Sequence, residues 1–247
     1  MVYSWLKNTQ FALFPGRCVL CSEATGRHLD LCCACEAMLV KPWARCRQCA
    51  LPCPTEVQQC GQCSQQTRHF TRSEALTLYQ TPVDELIGAL KYRRHTAPGR
   101  ILAELLCAQL RVRYQDDQWP DGLLPVPLHW RRQWHRGFNQ AHFLAVVLGK
   151  RLQIPVAGDI LVRQRATPKQ QGLNQRQRQT NLKRAFRVTR APDAAHVALI
   201  DDVVTTGATC NELAALLLHK GASRVDVWCL ARTDHKSPTK PAIARKY

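Results

Sequence analysis

"VALIDDVVTTGAT" occupies residues 197–209 and joins four apolar residues to two adjacent aspartates and a short run of threonine and glycine. Val197 to Ile200 read as a buried strand. Asp201 and Asp202 stand at its carboxyl edge, where like charges repel and partners are needed to offset them. In a parallel sheet, ligands gather at the carboxyl ends of strands. The following loop leads into a helix near Cys210 and so offers unpaired backbone N–H groups. Thr205, Thr206 and Thr209 add hydroxyl donors, and Gly207 lets the backbone approach closely, which together describe a phosphate cup. Two carboxylates beside such a cup suit sugar hydroxyls, or a magnesium ion with its waters. The same residues would also serve as a ligand-free capping cluster.

Outward from this stretch the chain alternates strands with helices. "SEALTLY" predicts a strand, and "TPVDELIGALKYRR" a helix capped by Thr81 with Pro82 at its first position. "GRILAELLCAQLRVRY" is a second helix and "DGLLPVPLHW" a short strand. "NQAHFLAVVLGKRLQI" carries a helical stripe through Ala141, Leu144, Ala145 and Leu148. "AGDILVRQR", "AFRV" and "RVDVWCLAR" are strands, and "CNELAALLLHKG" is a helix closed by Gly221. This order predicts an α/β fold with a parallel sheet. From Thr167 to Leu182 almost nothing is apolar, which reads as a solvated loop or a short polar helix. Arg111, Arg113, Arg151 and Arg187 read as solvated faces. Cys107, Cys210 and Cys229 read as core.

The amino-terminal quarter is a repeat. Cys18, Cys21, Cys32 and Cys35 recur with a shift of 28 as Cys46, Cys49, Cys60 and Cys63. Each CxxC can bend two thiolates onto one ion, and two such knuckles complete a tetrahedral sulfur shell, most simply for zinc and less so for an iron–sulfur cluster. Sequential and cross-braced pairing both satisfy two ions. With every shell filled by cysteine no position is left for water, so the metal would be structural, holding a segment too small to bury its own core. Cys33 and Cys53 are left outside the ligand set. The module also carries Arg17, Arg27, Lys41, Arg45, Arg47 and Arg68, which suit a nucleic-acid or protein partner, or simply a solvated surface.

The chain has 247 residues, 13 cysteines and a net charge of +17. No run reaches the roughly 18 apolar residues of a membrane helix, and the first twenty residues make a poor signal peptide. The default expectation is therefore the cytoplasm, where that many cysteines argue for metal rather than disulfides. The charge favours a polyanion or a phosphorylated small molecule. It is concentrated between Arg163 and Arg190, which hold nine Lys or Arg and no Asp or Glu. Trp130, Trp134 and Phe138 lie among basic residues and suit either base stacking or packing against the next helix.

Residues 197–209 resemble the phosphoribosyl pyrophosphate (PRPP) signature of the type I phosphoribosyltransferases. More of the chain resembles one branch of that superfamily, the ComF competence-protein family. The shared pieces are the cysteine repeat, "ALKYRRH" from Ala89, "LPVPLHWRRQWHRGFNQA" from Leu124 and "VRQRATPKQQGLNQRQRQTNLKRAF" from Val162. The resemblance implies a double zinc ribbon over residues 1–68, a phosphoribosyltransferase-like α/β domain with helices on both faces over 69–236, and a basic tail over 237–247. It implies Asp201, Asp202 and Arg136 as the residues that carry the chemistry. Thr205, Thr206, Gly207, Ala208, Thr209, Arg131 and Lys91 would bind PRPP, with Arg132 and Gly137 in the pyrophosphate turn and Arg93 near the phosphates. The segment from Arg163 to Arg184 would close over the site. Two zinc ions, and magnesium with PRPP, are the implied cofactors. Implied partners are single-stranded DNA and proteins of DNA uptake and processing, with no membrane insertion. No constellation specifies an acceptor for the ribosyl group.

Overall fold

The computed structural model describes residues 16–40, 43–92, 96–128, 137–164 and 185–234. Arg93, Trp130, Arg131, Arg132, Trp134, Arg136 and Lys41, most of the basic segment from Arg163 to Arg184 and the tail, for which the sequence carries expectations, lie outside those residues.

Six strands and six helices are described. Two short helices, α1 (Cys33–Leu39) and α2 (Gly61–Ser64), belong to the cysteine repeat. They are followed by β1 (Arg72–Leu78), α3 (Val83–Tyr92), α4 (Thr96–Arg113), β2 (Gly122–Pro125), α5 (Gln140–Leu152), β3 (Leu161–Arg163) and β4 (Phe186–Val188). The chain then runs through β5 (His196–Val204), α6 (Ala208–His219) and β6 (Arg224–Arg232). Four strands form one parallel sheet in the order β1-β6-β5-β2.

The alternation of side chains explains why the two central strands carry apolar runs, Val197–Ile200 on β5 and Val227–Ala231 on β6. On β5, Ala198 and Ile200 enter the core shared with α3, α4 and α5, while Val197 and Leu199 enter the core shared with α6. On β6, Trp228 and Leu230 face the first side, and Val225, Val227 and Cys229 the second. A strand buried on both faces must read as a continuous apolar run. Cys107, Cys210 and Cys229 are core, as their surroundings in the sequence imply.

Three details differ from the sequence reading. The strands β3 and β4 do not join the parallel sheet; they pair antiparallel with each other, Val162 opposite Arg187. A parallel pair needs a crossover that covers a sheet face, and the polar segment between them has no apolar stripe with which to do so. Helix α3 begins after Pro82 rather than at it. The Gln80 carbonyl accepts the Val83 and Asp84 amides (2.8 and 3.3 Å), so backbone takes the capping role expected of Thr81. Strand β5 also runs on through both aspartates to Val204, because β6 continues to pair with it, Asp201 opposite Cys229 and Val204 opposite Arg232.

The cysteine repeat packs on this sheet. Leu31 and Leu39 lie in the core of α3 and α4. The second half covers the outer edge of β1: the Ser73 amide donates to the Arg47 carbonyl (2.9 Å), Ser73 Oγ to the Gln48 carbonyl (2.7 Å) and Arg45 to the Ala75 carbonyl (2.9 Å). An otherwise open strand edge is thereby satisfied. Beneath it Glu74, fully buried, is held by Arg72 Nε (2.9 Å) and Arg113 Nε (3.2 Å). Arg113 also grips Glu56 (3.0 Å), whose pKa falls to about 2 mainly through that contact. Arg113 is thus part of a buried ion network and not the solvated side chain expected from the sequence.

Candidate phosphate and metal sites

Strand β2 pairs with β5 only as far as Pro125 opposite Ile200, with one further bond from the Val126 amide to the Ile200 carbonyl (2.9 Å). Beyond that point β5 has no partner on the β2 side among the described residues. Asp201 and Asp202 occupy these first unpaired positions, at the carboxyl end of a central strand. The pleat sends them to opposite faces: Asp201 shares the α6 face with Leu199, and Asp202 the α3 face with Ile200.

Across from Asp202, the last turn of α3 supplies Lys91, whose Nζ lies 2.7 Å from Asp202 Oδ2. Burial works against the Lys91 ammonium, but the attraction of Asp202 outweighs it and its pKa is raised. Asp201 is governed by burial first and by the neighbouring Asp202 charge second, and its carboxyl is pushed up to about 8. It accepts the Asp202 amide (2.8 Å), and Asp202 accepts the Val203 amide (2.7 Å). The two aspartates therefore differ in kind, one ion-paired and one holding its proton near neutrality.

The loop after β5 turns at Gly207, where φ is +76°, a conformation that disfavours any side chain. Gly207 is also the N-cap of α6, so no side chain of the cap residue occupies the helix start; Thr206 Oγ1 accepts only the Ala208 amide (3.3 Å). Among the described residues the Thr209 and Cys210 amides have no partner at this end and remain open to an anion. The structure brings Lys91 to Asp202 at the strand end from which Thr205 to Thr209 lead into α6. Gly137 opens the described chain again at φ +78°. Two residues on, Asn139 caps α5 by accepting the Ala141 amide (3.0 Å), and donates to the Val126 carbonyl (3.1 Å). The segment bearing Arg131 and Arg136 lies between Leu128 and Gly137 in the chain, outside the described residues. Leu128 and Gly137 line a cleft of about 810 Å³ together with Pro125, Phe138, Phe143 and Val162 among others; Lys91, Asp201, Asp202 and the loop after β5 are not part of its lining. Phe138 lines this cleft, edge-on to Phe143 at 6.3 Å.

Sequence reasoning missed two residues that touch the loop. Arg68 donates from Nη1 to the Thr206 carbonyl (3.1 Å), and Arg232 from Nη1 to the Val204 carbonyl (3.0 Å). Their partners lie far away along the chain, and no local pattern announces them.

The eight repeat cysteines form two tetrads, Cys18/Cys21/Cys32/Cys35 and Cys46/Cys49/Cys60/Cys63. Pairing is therefore sequential, not cross-braced. A Zn–S distance of about 2.3 Å in a tetrahedron implies sulfur separations of about 3.8 Å. The measured separations are 3.7 Å for Cys21–Cys32, 3.7 Å for Cys49–Cys60 and 3.9 Å for Cys46–Cys63. Backbone amides support the sulfurs, Cys35 N on Cys32 Sγ (3.4 Å) and Cys60 N on Cys46 Sγ (3.2 Å). Both tetrads fit zinc in size and donor set.

No protein-family model matches the chain. Among curated proteins, the DNA utilization protein YhgH of Salmonella typhimurium is 37% identical over 222 residues, covering 89% of this chain and 98% of its own. Competence protein F of Haemophilus influenzae is 34% identical over 227 residues, with the same shares of the two chains. The chain belongs to the ComF competence-protein family. Among solved structures, a purine phosphoribosyltransferase from Pyrococcus horikoshii is 15% identical, covers 58% of this chain and 91% of its own, and has a TM-score of 0.33. Among the described residues, no helix is long and apolar enough to cross a membrane.

Proposed function

We propose that this ComF-family chain binds a phosphorylated ribose of the PRPP type at the end of β5, in the cytoplasm, in the service of DNA uptake or utilisation. The observation that carries the reading is the meeting of an acidic pair, a half-buried lysine and a helix start without a side-chain cap at one strand end. In this reading the amides and hydroxyls of Thr205, Thr206, Gly207, Ala208 and Thr209 receive the 5′-phosphate. Asp201 and Asp202 take the ribose hydroxyls, and Lys91 is freed from Asp202 to meet phosphate oxygens together with Arg131 and Arg136. Magnesium bound with PRPP would supply charge neutralisation at the pyrophosphate. The site's own contribution to phosphoribosyl transfer is placed charge, which stabilises the departing pyrophosphate without a strong general base. Titration calorimetry of PRPP with and without magnesium tests the reading. Binding that weakens at least tenfold in Asp202→Asn supports it, and absence of binding by the parent chain refutes it.

A second reading follows from the charge of +17 and the acid-free run from Arg163 to Arg190: the chain grips single-stranded DNA through several phosphates. Affinity for an oligonucleotide should then fall steeply with salt. A flat dependence would dismiss this mode.

A further inference from the structure

The two cysteine tetrads are tied to the sheet in different ways. The first meets it through apolar packing of Leu31 and Leu39 and a side-chain bond from Thr77 Oγ1 to the Leu39 carbonyl (2.7 Å). The second is tied to the loop after β5. Arg232, only 2% exposed, donates from Nε to the carbonyl of the ligand Cys49 (2.8 Å) and from Nη1 to the carbonyl of Val204 (3.0 Å). Arg68 follows Cys63 by five residues and donates from Nη1 to the Thr206 carbonyl (3.1 Å). Its Nε is buried and, among the described residues, has no hydrogen-bond partner. Asn211, in the first turn of α6, fastens the same connector by accepting the His69 amide (2.7 Å) and donating to the Thr67 carbonyl (3.3 Å).

The geometry of the peptide unit gives these contacts a consequence. In a trans peptide the C=O and the next residue's N–H point in opposite directions. A guanidinium that holds the Val204 carbonyl therefore turns the Thr205 amide away from itself, and one that holds the Thr206 carbonyl does the same to the Gly207 amide. Two donors of the phosphate loop are thus oriented from behind. The packing is close: a Cβ at Gly207 would stand 3.2 Å from Arg68 Nη1.

We propose that Arg68 and Arg232 are positioning residues that set the amides of the loop from the second cysteine tetrad, so that metal in Cys46/Cys49/Cys60/Cys63 and a phosphorylated ligand in the loop favour one another. The proposal rests on the reading of that loop as a phosphate site. Linkage is reciprocal, so each occupant slows the opening of the other's site. The first tetrad, which lacks the arginine connection, stays outside this linkage.

Backbone hydrogen exchange on the full zinc-loaded chain tests it, with ribose 5-phosphate as probe and zinc content measured for every variant. Saturating probe is expected to slow exchange in peptides covering 204–212 and 46–63, and to leave 18–35 unchanged. In Arg68→Ala, probe affinity should fall about fivefold or more, the low end of ordinary coupling between linked sites, and the protection of 46–63 should vanish while both zinc ions remain. Arg68→Lys, which keeps a donor for the Thr206 carbonyl, should recover part of both effects. Independently of any ligand, zinc removal should speed exchange in 204–212 in the parent chain. A loop protected by the probe with no change in 46–63, or an Arg68→Ala variant that behaves as the parent, overturns the proposal. Failure of the probe to protect 204–212 at all would instead refute the phosphosugar reading. The zinc-removal arm then decides the linkage alone, and unchanged exchange in 204–212 overturns it.

Discussion

Replacing Asp201 with asparagine removes a carboxyl that the fold keeps protonated while preserving the oxygen that accepts the Asp202 amide at 2.8 Å. The carboxyl is raised from 3.8 to about 8 by burial and by the adjacent Asp202 charge. Between those two values the unfolded chain has lost a proton that the folded chain retains. The unfolded state therefore binds fewer protons, and folding stability must fall as pH rises through that window. The slope approaches about 1.4 kcal/mol per pH unit for one such group. The experimental range is bounded below by the cysteine tetrads, which lose metal as their thiolates are protonated. From pH 5.5 to 8 the ceiling is roughly 3 kcal/mol; water reaching the half-buried carboxyl lowers this to a predicted 1–2 kcal/mol, an order-of-magnitude figure. Urea unfolding of zinc-loaded protein at several pH values measures it. Asp201→Asn should gain on the parent steadily across the range. Two parallel stability curves would refute the idea that Asp201 is held protonated by its surroundings.

Other perturbations have equally definite outcomes. Gly207→Ala forces a side chain into a positive φ and against Arg68, and should cost about 1–2 kcal/mol in chemical denaturation while weakening binding of ribose 5-phosphate. Tyr114→Phe removes a hydroxyl that donates to Asp226 (2.8 Å) and accepts from Trp228 Nε1 (2.9 Å), leaving a buried indole donor unmatched at a cost of about 1–3 kcal/mol. Glu74→Gln leaves Arg45, Arg72 and Arg113 without their shared buried charge and should lose about 3–5 kcal/mol. Unchanged unfolding midpoints would contradict either assignment. Lys91→Met should free Asp202 of its cation partner and shift the dependence of PRPP binding toward higher magnesium affinity, as read by calorimetry.

The sequence made local features plain and distant ones invisible. The cysteine repeat was legible because metal geometry demands fixed short spacings, and both tetrads formed where the CxxC pairs indicated. Strand β5 was legible because burial on two faces leaves an unbroken apolar run ended by charge. Its length was not: Val203 and Val204 stay in the strand because β6 extends beside them, which is a property of the partner. The antiparallel pairing of β3 with β4 likewise depends on where two short segments meet, not on their composition. Arg113 looks solvated in a helix pattern, yet Glu74 and Glu56 meet it from 39 and 57 residues away. The two arginines behind the loop after β5 reach across 138 residues, from Arg68 to Thr206, and 183, from Arg232 to Cys49. Contacts of that range follow from packing alone.

The central claim is that the end of β5 is a phosphosugar pocket. A crystal structure of the zinc-loaded chain with PRPP tests it most directly. The account predicts the 5′-phosphate within hydrogen-bond distance of the amides of Thr205 to Thr209, the ribose hydroxyls at Asp201 and Asp202, and Lys91 moved from Asp202 toward phosphate oxygens. PRPP bound elsewhere, with the loop empty and the Lys91–Asp202 pair still closed at its present 2.7 Å, would contradict it.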